Sequence, residues 1–352
     1  MLLVGVMGGA IWGIGHLMDM PTKARWSMIW LLLVAVLMAQ VVLPADNPLR
    51  TATGGSAAPW LILIAFGAVI AGYRQLLGYL RVRADGDVAV ETPRPEAFSE
   101  TELDRYARHI ILREIGGTGQ KRLRDARILV IGAGGLGAPA LMYLAGAGVG
   151  TIGLIDDDTV ENANLQRQII HSDARIGMPK VFSAETAMKA LNPFVTVRPY
   201  NRRLTDEIAD DLFADYDLVL DGTDNFATRY RANAAAVRAG RPLISGALTQ
   251  WEGQISVFDP AHGAPCYQCI FPESPADGLA PSCAEAGVLG PLPGVIGAMM
   301  AVEAVKLITG AGTLMRGEML IYDALYGETR KIGIQSNPTC PVCGAGQKAA
   351  VV

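Results

Sequence analysis

The sequence is short of charge. Asp, Glu, Lys and Arg make up 18% of its 352 residues, against roughly 25% in ordinary soluble domains. That excludes a disordered chain, which needs low hydrophobicity and high charge. A positive surplus is missing too. Thirty Lys and Arg against 34 Asp and Glu leave a formal net charge of −4. No basic field draws the chain to nucleic acid, so no nucleic-acid partner is expected. Cysteine is scarce and odd in number, with five residues. That argues against a secreted disulfide scaffold. Phenylalanine is also scarce, with eight residues against 40 glycines. The balance speaks for tight turns and close backbone approach rather than an aromatic-rich interface. The length excludes a single small domain and predicts two units.

What is abundant is apolar sequence, 51% of the chain, and the excess lies in the first 80 residues. Residues 1–18, 26–43 and 57–73 are each almost wholly apolar. Each is near the minimum of about 17 residues that spans a bilayer. Trp60 and Tyr73 lie near the ends of the third segment, as interfacial belts require. Three membrane helices are expected over residues 1–82. A signal peptide would explain the first segment, but no small-residue cleavage site follows it. A buried helical hairpin of a soluble domain is the other reading. Lys23 and Arg25 follow the first segment, and Arg74, Arg81 and Arg83 follow the third; only Arg50 lies between the others. Positive charge stays inside. The N-terminus is therefore expected outside, with a multi-pass anchor and everything after about residue 81 in the cytoplasm. Residues 83–98 read as a linker, with Asp85, Gly86, Asp87, Pro93 and Pro95 and no periodicity.

From residue 99 to 348 the pattern changes. Residues 103–115 carry apolar side chains at helical spacing, with Arg105, Arg108 and Arg113 among them. Residues 127–131 and 151–155 read as buried strands, and 195–200 and 217–220 as two more. Residues 138–147, 180–191 and 295–308 read as helices. Alternation of this kind predicts an α/β fold with a mostly parallel sheet.

The first strand runs straight into Gly132-Ala133-Gly134-Gly135-Leu136-Gly137. Glycines there let the backbone approach phosphate, and the following helix N-terminus favours an anion. Asp156 stands where an acid binds ribose hydroxyls. The loop alone does not separate NAD, FAD, SAM and ATP, and a ligand-free turn has the same sequence. Three further runs bear on the choice: Asn162–Gln168 (NANLQRQ), Pro179-Lys180 and Asp221–Asn225 (DGTDN). A chain that offers Arg108, Arg167 and Lys180 beside Asp224 suits a triphosphate and Mg²⁺, which takes one or two carboxylates plus phosphate oxygens.

Cys266-x-x-Cys269 and Cys340-x-x-Cys343 supply four soft ligands. That set suits tetrahedral zinc in a closed, structural site. Two unrelated pairs, or a redox pair, are the alternatives. Cys283 is left over in a Pro- and Gly-rich stretch. It reads either as a small buried hydrophobe or as a thiol exposed near the site.

Taken together, RYARHIIL (residues 105–112), GAGGLG, IDDD, NLQRQ, GMPK, DGTDN, EGQISVF, PCYQC, PSCAEAGVLGPLPGVIG and NPTCPVCG resemble the MoeB/ThiF/HesA adenylyltransferases, relatives of ubiquitin-activating enzymes. The resemblance covers about two thirds of the chain. It implies a Rossmann-like ATP-binding fold and a homodimer. It also implies activation of the C-terminal Gly-Gly carboxylate of a ubiquitin-like sulfur-carrier protein, first for molybdenum cofactor synthesis and alternatively for thiamine; a membrane-tethered carrier-binding protein without catalysis is the other reading. By resemblance, Gly132, Gly134, Gly135 and Gly137 lie against ATP and Asp156 binds ribose. Asn164 and Arg167 line the nucleotide site, Lys180 contacts phosphate, and Asp224 holds Mg²⁺. Arg108 serves the partner subunit's ATP, the four paired cysteines hold Zn²⁺, and Cys283 matches a cysteine that is catalytic in some relatives only. His109 departs from the family, where Gln is common. The apolar N-terminal region departs as well, and no sulfur-transfer domain follows the zinc cysteines.

Overall fold

The computed structural model describes all residues except Met1, Asp19, Ala45, 86–96, 275–285 and 345–352. Cys283 and most of the expected linker lie outside the described residues. The chain divides into two compact units, Met1–Glu96 and Ala97–Val352.

The N-terminal unit is helical: α1 (Leu2–Leu17), α2 (Thr22–Val42), a short α3 (Pro48–Ala52) and α4 (Ala58–Asp85). The third apolar segment thus continues as helix past Tyr73, through Arg74, Arg81 and Arg83, to Asp85. The expected linker therefore starts later than residue 83. The extension carries no proline, and its Leu, Tyr, Arg and Gln residues sustain a helix across the single Gly78. The polar turn between α2 and α4 is stitched locally. Arg50 Nη1 donates to Leu43 O at 2.9 Å, and Gln40 Nε2 donates to Arg50 O at 3.0 Å. Trp60 packs inside the helical unit. It is buried against Val4 and Val36, and its indole N–H donates to Thr53 O at 3.0 Å. Most large apolar side chains face outward instead, among them Ile14, Leu31, Val34, Ile62, Phe66 and Val69.

The second unit opens with α5 (Glu100–Ile110), started by a capping box between Ser99 and Glu102. That pair contributes about 1 kcal/mol. The helix expected over 103–115 is α5, which ends at Ile110; residues 111–115 form a turn, and a second helix, α6 (Gly116–Asp125), follows. Gly116 takes φ +60° where α6 begins, which a continuous helix does not allow. Then come β1 (Arg127–Ile131), α7 (Gly137–Ala147), β2 (Thr151–Ile155), α8 (Lys180–Leu191), β3 (Thr196–Tyr200), α9 (Asp206–Ala214), β4 (Leu218–Asp221), α10 (Phe226–Ala239), β5 (Leu243–Leu248), β6 (Glu252–Phe258), α11 (Tyr267–Ile270), α12 (Pro291–Thr309), β7 (Glu318–Asp323) and β8 (Glu328–Gly333).

The eight strands form one sheet in the order β3-β2-β1-β4-β5-β6-β7-β8. The first five are parallel, and β6, β7 and β8 add on antiparallel. One core cluster joins α7, α8 and α12 to one face of the sheet; the other places Phe213, Ala232 and Ala236 from α9 and α10 on the opposite face. Burial on both faces explains the continuous apolar runs of β1 and β2. The strand order reverses between β1 and β4, and open α/β sheets bind ligands at such a switch point.

Candidate active site and metal centre

The ends of β1 to β5 feed one cleft of about 770 Å³. Gly132, Gly134 and Gly135 line it after β1, Asp156 and Asp158 after β2, and Arg202 and Arg203 after β3. Thr223, Asp224 and Asn225 come from the turn after β4, while Arg167, Gln168 and Lys180 close the side beside the glycine loop.

The glycine loop is built for close approach. Gly132 has φ +92°. Gly137 does not line the cleft. A Cβ there would lie 1.9 Å from Gly132 O, so it is the glycine that lets α7 sit against the loop. The loop is fixed by two side chains. Asp156 Oδ2 accepts from Ala133 N at 2.7 Å, and His171 Nε2 meets Ala133 O at 3.0 Å. His171 Nδ1 pairs with Ser183 Oγ at 2.9 Å. Since the Ala133 carbonyl only accepts, Nε2 carries the proton. Burial pushes the Asp156 carboxyl above its ordinary range, although Lys180 and two backbone N–H groups pull it down. Burial lowers the pKa of His171, and nearby Lys180 and Arg175 act in the same direction.

Lys180 is buried, and its ammonium meets Asp158 Oδ2 at 2.7 Å. Asp158 is thus a functional candidate that the sequence left in the shadow of Asp156. Its only signal was the acidic run, because its partner lies 22 residues away. Asn164 does not line the cleft. Its Oδ1 accepts from Arg167 Nη2 at 2.9 Å, so it aims the arginine that does. Arg108 is exposed on α5 and is not among the cleft residues of its own chain. Asp224 is exposed on the cleft, and among the described residues it makes no hydrogen bond or ion pair. A carboxylate in that state beside a phosphate-binding loop fits a hydrated divalent cation.

Arg229 was missed by sequence reasoning. It is buried on α10 and lines the cleft. Its guanidinium donates to Gly246 O at 2.7 Å, Ser245 Oγ at 3.0 Å, Asp221 Oδ2 at 3.4 Å and Thr223 O. Asp221 Oδ1 also accepts from Thr223 Oγ1 at 2.7 Å. The turn that presents Asp224 is therefore held from beneath.

The four paired cysteines come together across 74 residues of sequence. Cys266 Sγ lies 3.8 Å from Cys269 Sγ and 3.6 Å from Cys340 Sγ, and Cys269 and Cys343 are 3.3 Å apart. All four ligand atoms lie within 4.8 Å of one another. Disulfide sulfurs would be about 2.05 Å apart. Four sulfurs at about 2.3 Å around one zinc sit roughly 3.8 Å from each other. The donor set fits a closed zinc site. Burial pushes the Cys266 thiol up, and burial with a Cys269 hydrogen bond pushes Cys343 up to about 11. Four crowded thiolates need a cation to coexist. Asn233 Nδ2 reaches Cys266 Sγ at 3.7 Å, and Tyr267 N donates to Asn233 Oδ1 at 2.8 Å.

A doubly wound sheet with a glycine loop and a cation-lined cleft at its switch point defines a Rossmann-type nucleotide-binding protein. Residues 106–342 match the ThiF family, and the chain belongs to it. It is 49% identical over 251 residues to the sulfur carrier protein adenylyltransferase of Thermus thermophilus, covering 70% of this chain and 93% of that one. It is 48% identical over 247 residues to the molybdopterin-synthase adenylyltransferase of Salmonella typhimurium, covering 70% and 98%. The probable adenylyltransferase/sulfurtransferase MoeZ of Mycobacterium tuberculosis is 52% identical, and only 63% of its length is matched. Among solved structures, Escherichia coli MccB with MccA-N7isoASN superposes with TM-score 0.60 at 23% identity, over 68% of this chain and 74% of that one. At that identity the likeness speaks for the fold alone.

Proposed function

We propose that this enzyme is an ATP-dependent adenylyltransferase that activates the C-terminal glycine carboxylate of a ubiquitin-like sulfur-carrier protein. The observation that carries the reading is the single cleft joining the glycine loop, Arg167, Lys180 and Asp224. A carboxylate oxygen of the carrier attacks the α-phosphorus of ATP. The bond from that phosphorus to the bridging oxygen breaks, and pyrophosphate leaves with the electron pair. The product is an acyl-adenylate. The attacking carboxylate is already ionised near pH 7, so no general base is needed. The task is to hold two anions together. Glycine-loop N–H groups and the α7 N-terminus face the phosphates. Arg167, steadied by Asn164, and Lys180, released from Asp158, supply positive charge where it accumulates. Asp156 receives the ribose, and Arg108 of one subunit completes the site of the other in a homodimer. Asp224 would hold Mg²⁺, which supplies charge neutralisation at the phosphates. Cys266, Cys269, Cys340 and Cys343 hold structural zinc.

The preferred carrier is the small subunit of molybdopterin synthase, and the thiamine sulfur carrier is the alternative. The relatives named above support a sulfur carrier without choosing between them. The N-terminal unit is read as a multi-pass membrane anchor, with the catalytic unit in the cytoplasm. The outward-facing apolar side chains of α1, α2 and α4 and the placement of Lys and Arg support it.

The test is ATP–pyrophosphate exchange by the full chain in detergent, against both carriers. Exchange with the molybdopterin carrier alone is expected. Exchange with the thiamine carrier alone would keep the chemistry and change the pathway, and none with any Gly-Gly-ended carrier would end the reading. Asp224→Ala should abolish exchange with zinc content intact; activity retained at saturating Mg²⁺ would remove Asp224 from its role. Cys283→Ala should leave exchange largely unchanged, and its loss from a folded protein would make the thiol part of adenylation.

A further inference from the structure

Two metal centres are expected in this unit, and one helix touches the surroundings of both. Arg229 and Asn233 lie one turn apart on α10, at spacing i and i+4, and so share a face. Both are buried. Arg229 grips the Asp224 turn at Thr223 O and Asp221, and grips β5 at Ser245 and Gly246. Asn233 grips the cysteine segment twice, at Tyr267 N and Cys266 Sγ. Both ends of its amide are used, so the side chain has one seat. α10 is itself anchored at its start, where Asn225 Oδ1 accepts from Thr228 N at 2.8 Å. Asn225 is the residue directly after Asp224. Tyr267 adds a second link. It follows Cys266, lines the cleft, and packs at 5.5 Å from Tyr230 of α10 and 5.6 Å from Phe258.

A closed zinc site distant from chemistry needs none of this. Its thiolates alone would tie the chain's end to the domain. Two buried polar side chains on α10 carry a cost that only their hydrogen bonds offset. We infer that α10 is a coupling strut: Arg229 and Asn233 join the four-cysteine centre to the Asp224 turn, so that filling one site tightens the other. They act as positioning residues, since their side chains are bonded to the Asp224 turn, to β5 and to the cysteine segment. The inference rests on the proposed function only in placing a divalent cation at Asp224. Coupling between sites is reciprocal. Loosening the strut near the cysteines must weaken the cation site, and loosening it near Asp224 must speed zinc loss.

The test uses the full, zinc-loaded chain in detergent, with Mn²⁺ as the probe in the presence of the non-hydrolysable nucleotide AMPCPP. Mn²⁺ affinity is read by electron paramagnetic resonance, and zinc release by transfer to a colorimetric chelator. Asn233→Leu keeps the side-chain shape and removes both bonds. It should lower Mn²⁺ affinity about tenfold, within the usual range of coupling, with bound zinc still at one per chain. Ser245→Ala removes one Arg229 partner and the hydroxyl that donates to Asp221, leaves Asn233 and its cysteine contacts in place, and should quicken zinc release while lowering Mn²⁺ affinity. It also serves if Asn233→Leu fails to fold. Mn²⁺ affinity and zinc release within twofold of the unmodified protein in Ser245→Ala would overturn the coupling. So would unchanged Mn²⁺ affinity in a zinc-loaded Asn233→Leu protein. If the unmodified protein binds Mn²⁺ no better with AMPCPP than without it, the Asp224 assignment falls and the coupling falls with it.

Discussion

Two helices of this chain are alike in length and apolarity and opposite in surroundings. The 19 residues Ala24–Val42 within α2 have mean hydropathy 1.8, and the 19 residues of α12 have 1.5. Either is long enough to cross a bilayer. Only 11% of the α2 stretch is buried within the protein, against 50% of α12. The apolar surface of α12 is spent on α7 and the sheet. Gly297 sits where a Cβ would meet Leu136 O at 2.3 Å. Glu303 is buried, and its carboxylate accepts from Met315 N at 3.0 Å and pairs with Lys306. Apolarity alone therefore does not distinguish a covered core helix from one whose apolar face is left open. The partner that covers the apolar face does.

The strongest way to break this comparison is to place a charge in each helix. Met300 is fully buried on α12. Met300→Arg leaves a cation without a partner in the core and should destabilise the catalytic unit by about 4–5 kcal/mol. Leu31 of α2 is 69% exposed. Leu31→Arg should leave the melting of the catalytic unit unchanged while shifting the chain out of the membrane fraction, because arginine at a bilayer centre costs about 2.5–3.5 kcal/mol. Thermal unfolding and membrane fractionation of both variants decide it. If Leu31→Arg fractionates like the unmodified chain, the anchor reading fails.

A smaller change sharpens the same contrast. Gly297→Ala forces a methyl against Leu136 O and Pro139 and should cost about 1–3 kcal/mol. A Cβ on Gly67 of α4 meets nothing within 4 Å, so Gly67→Ala should be neutral or gain up to about 1 kcal/mol of helix propensity. Equal losses in denaturant midpoint would mean that α4 is packed as tightly as α12.

How much could be read in advance follows the same logic of partners. β1, the glycine loop and β2 were legible because both sheet faces are buried and the strands are unbroken apolar runs. The four cysteines were legible as one ligand set because their paired spacing points to a shared site, and the fold brings their four sulfurs together. β8 was not, since all six of its residues are exposed and no burial pattern marks an edge strand. α6 was not, because it is glycine-rich and buries Gln120 and Arg124, the reverse of a hydrophobic stripe. Arg229 and Asn233 look like solvated positions of a polar helix. Their partners lie 6–34 residues away on other elements, and sequence does not show where those partners fold. Gly137 and Asn164 were placed on the cleft by resemblance, and the fold puts each one step behind it.

The smallest expected effect concerns the histidine that holds the glycine loop. His171 is 7% exposed, and burial keeps its pKa below the ordinary value. An unfolded histidine takes a proton near pH 6.5. The folded one resists it, because Nδ1 sits against Ser183 and the charges of Lys180 and Arg175 are near. Below about pH 6.5 the unfolded state therefore binds more protons than the folded state. The contribution to stability is whole above that pH and is lost as pH falls towards the folded pKa. Lys180 and the Ala133 carbonyl are both tied to this residue's surroundings, so acid should loosen the nucleotide cleft before it touches the apolar helices. His171→Gln retains a donor for Ala133 O and removes the titration. The melting temperature of the catalytic unit should then fall less steeply on acidification in the variant than in the unmodified chain. Equal slopes would assign the acid sensitivity to the carboxylates and leave His171 as a neutral brace.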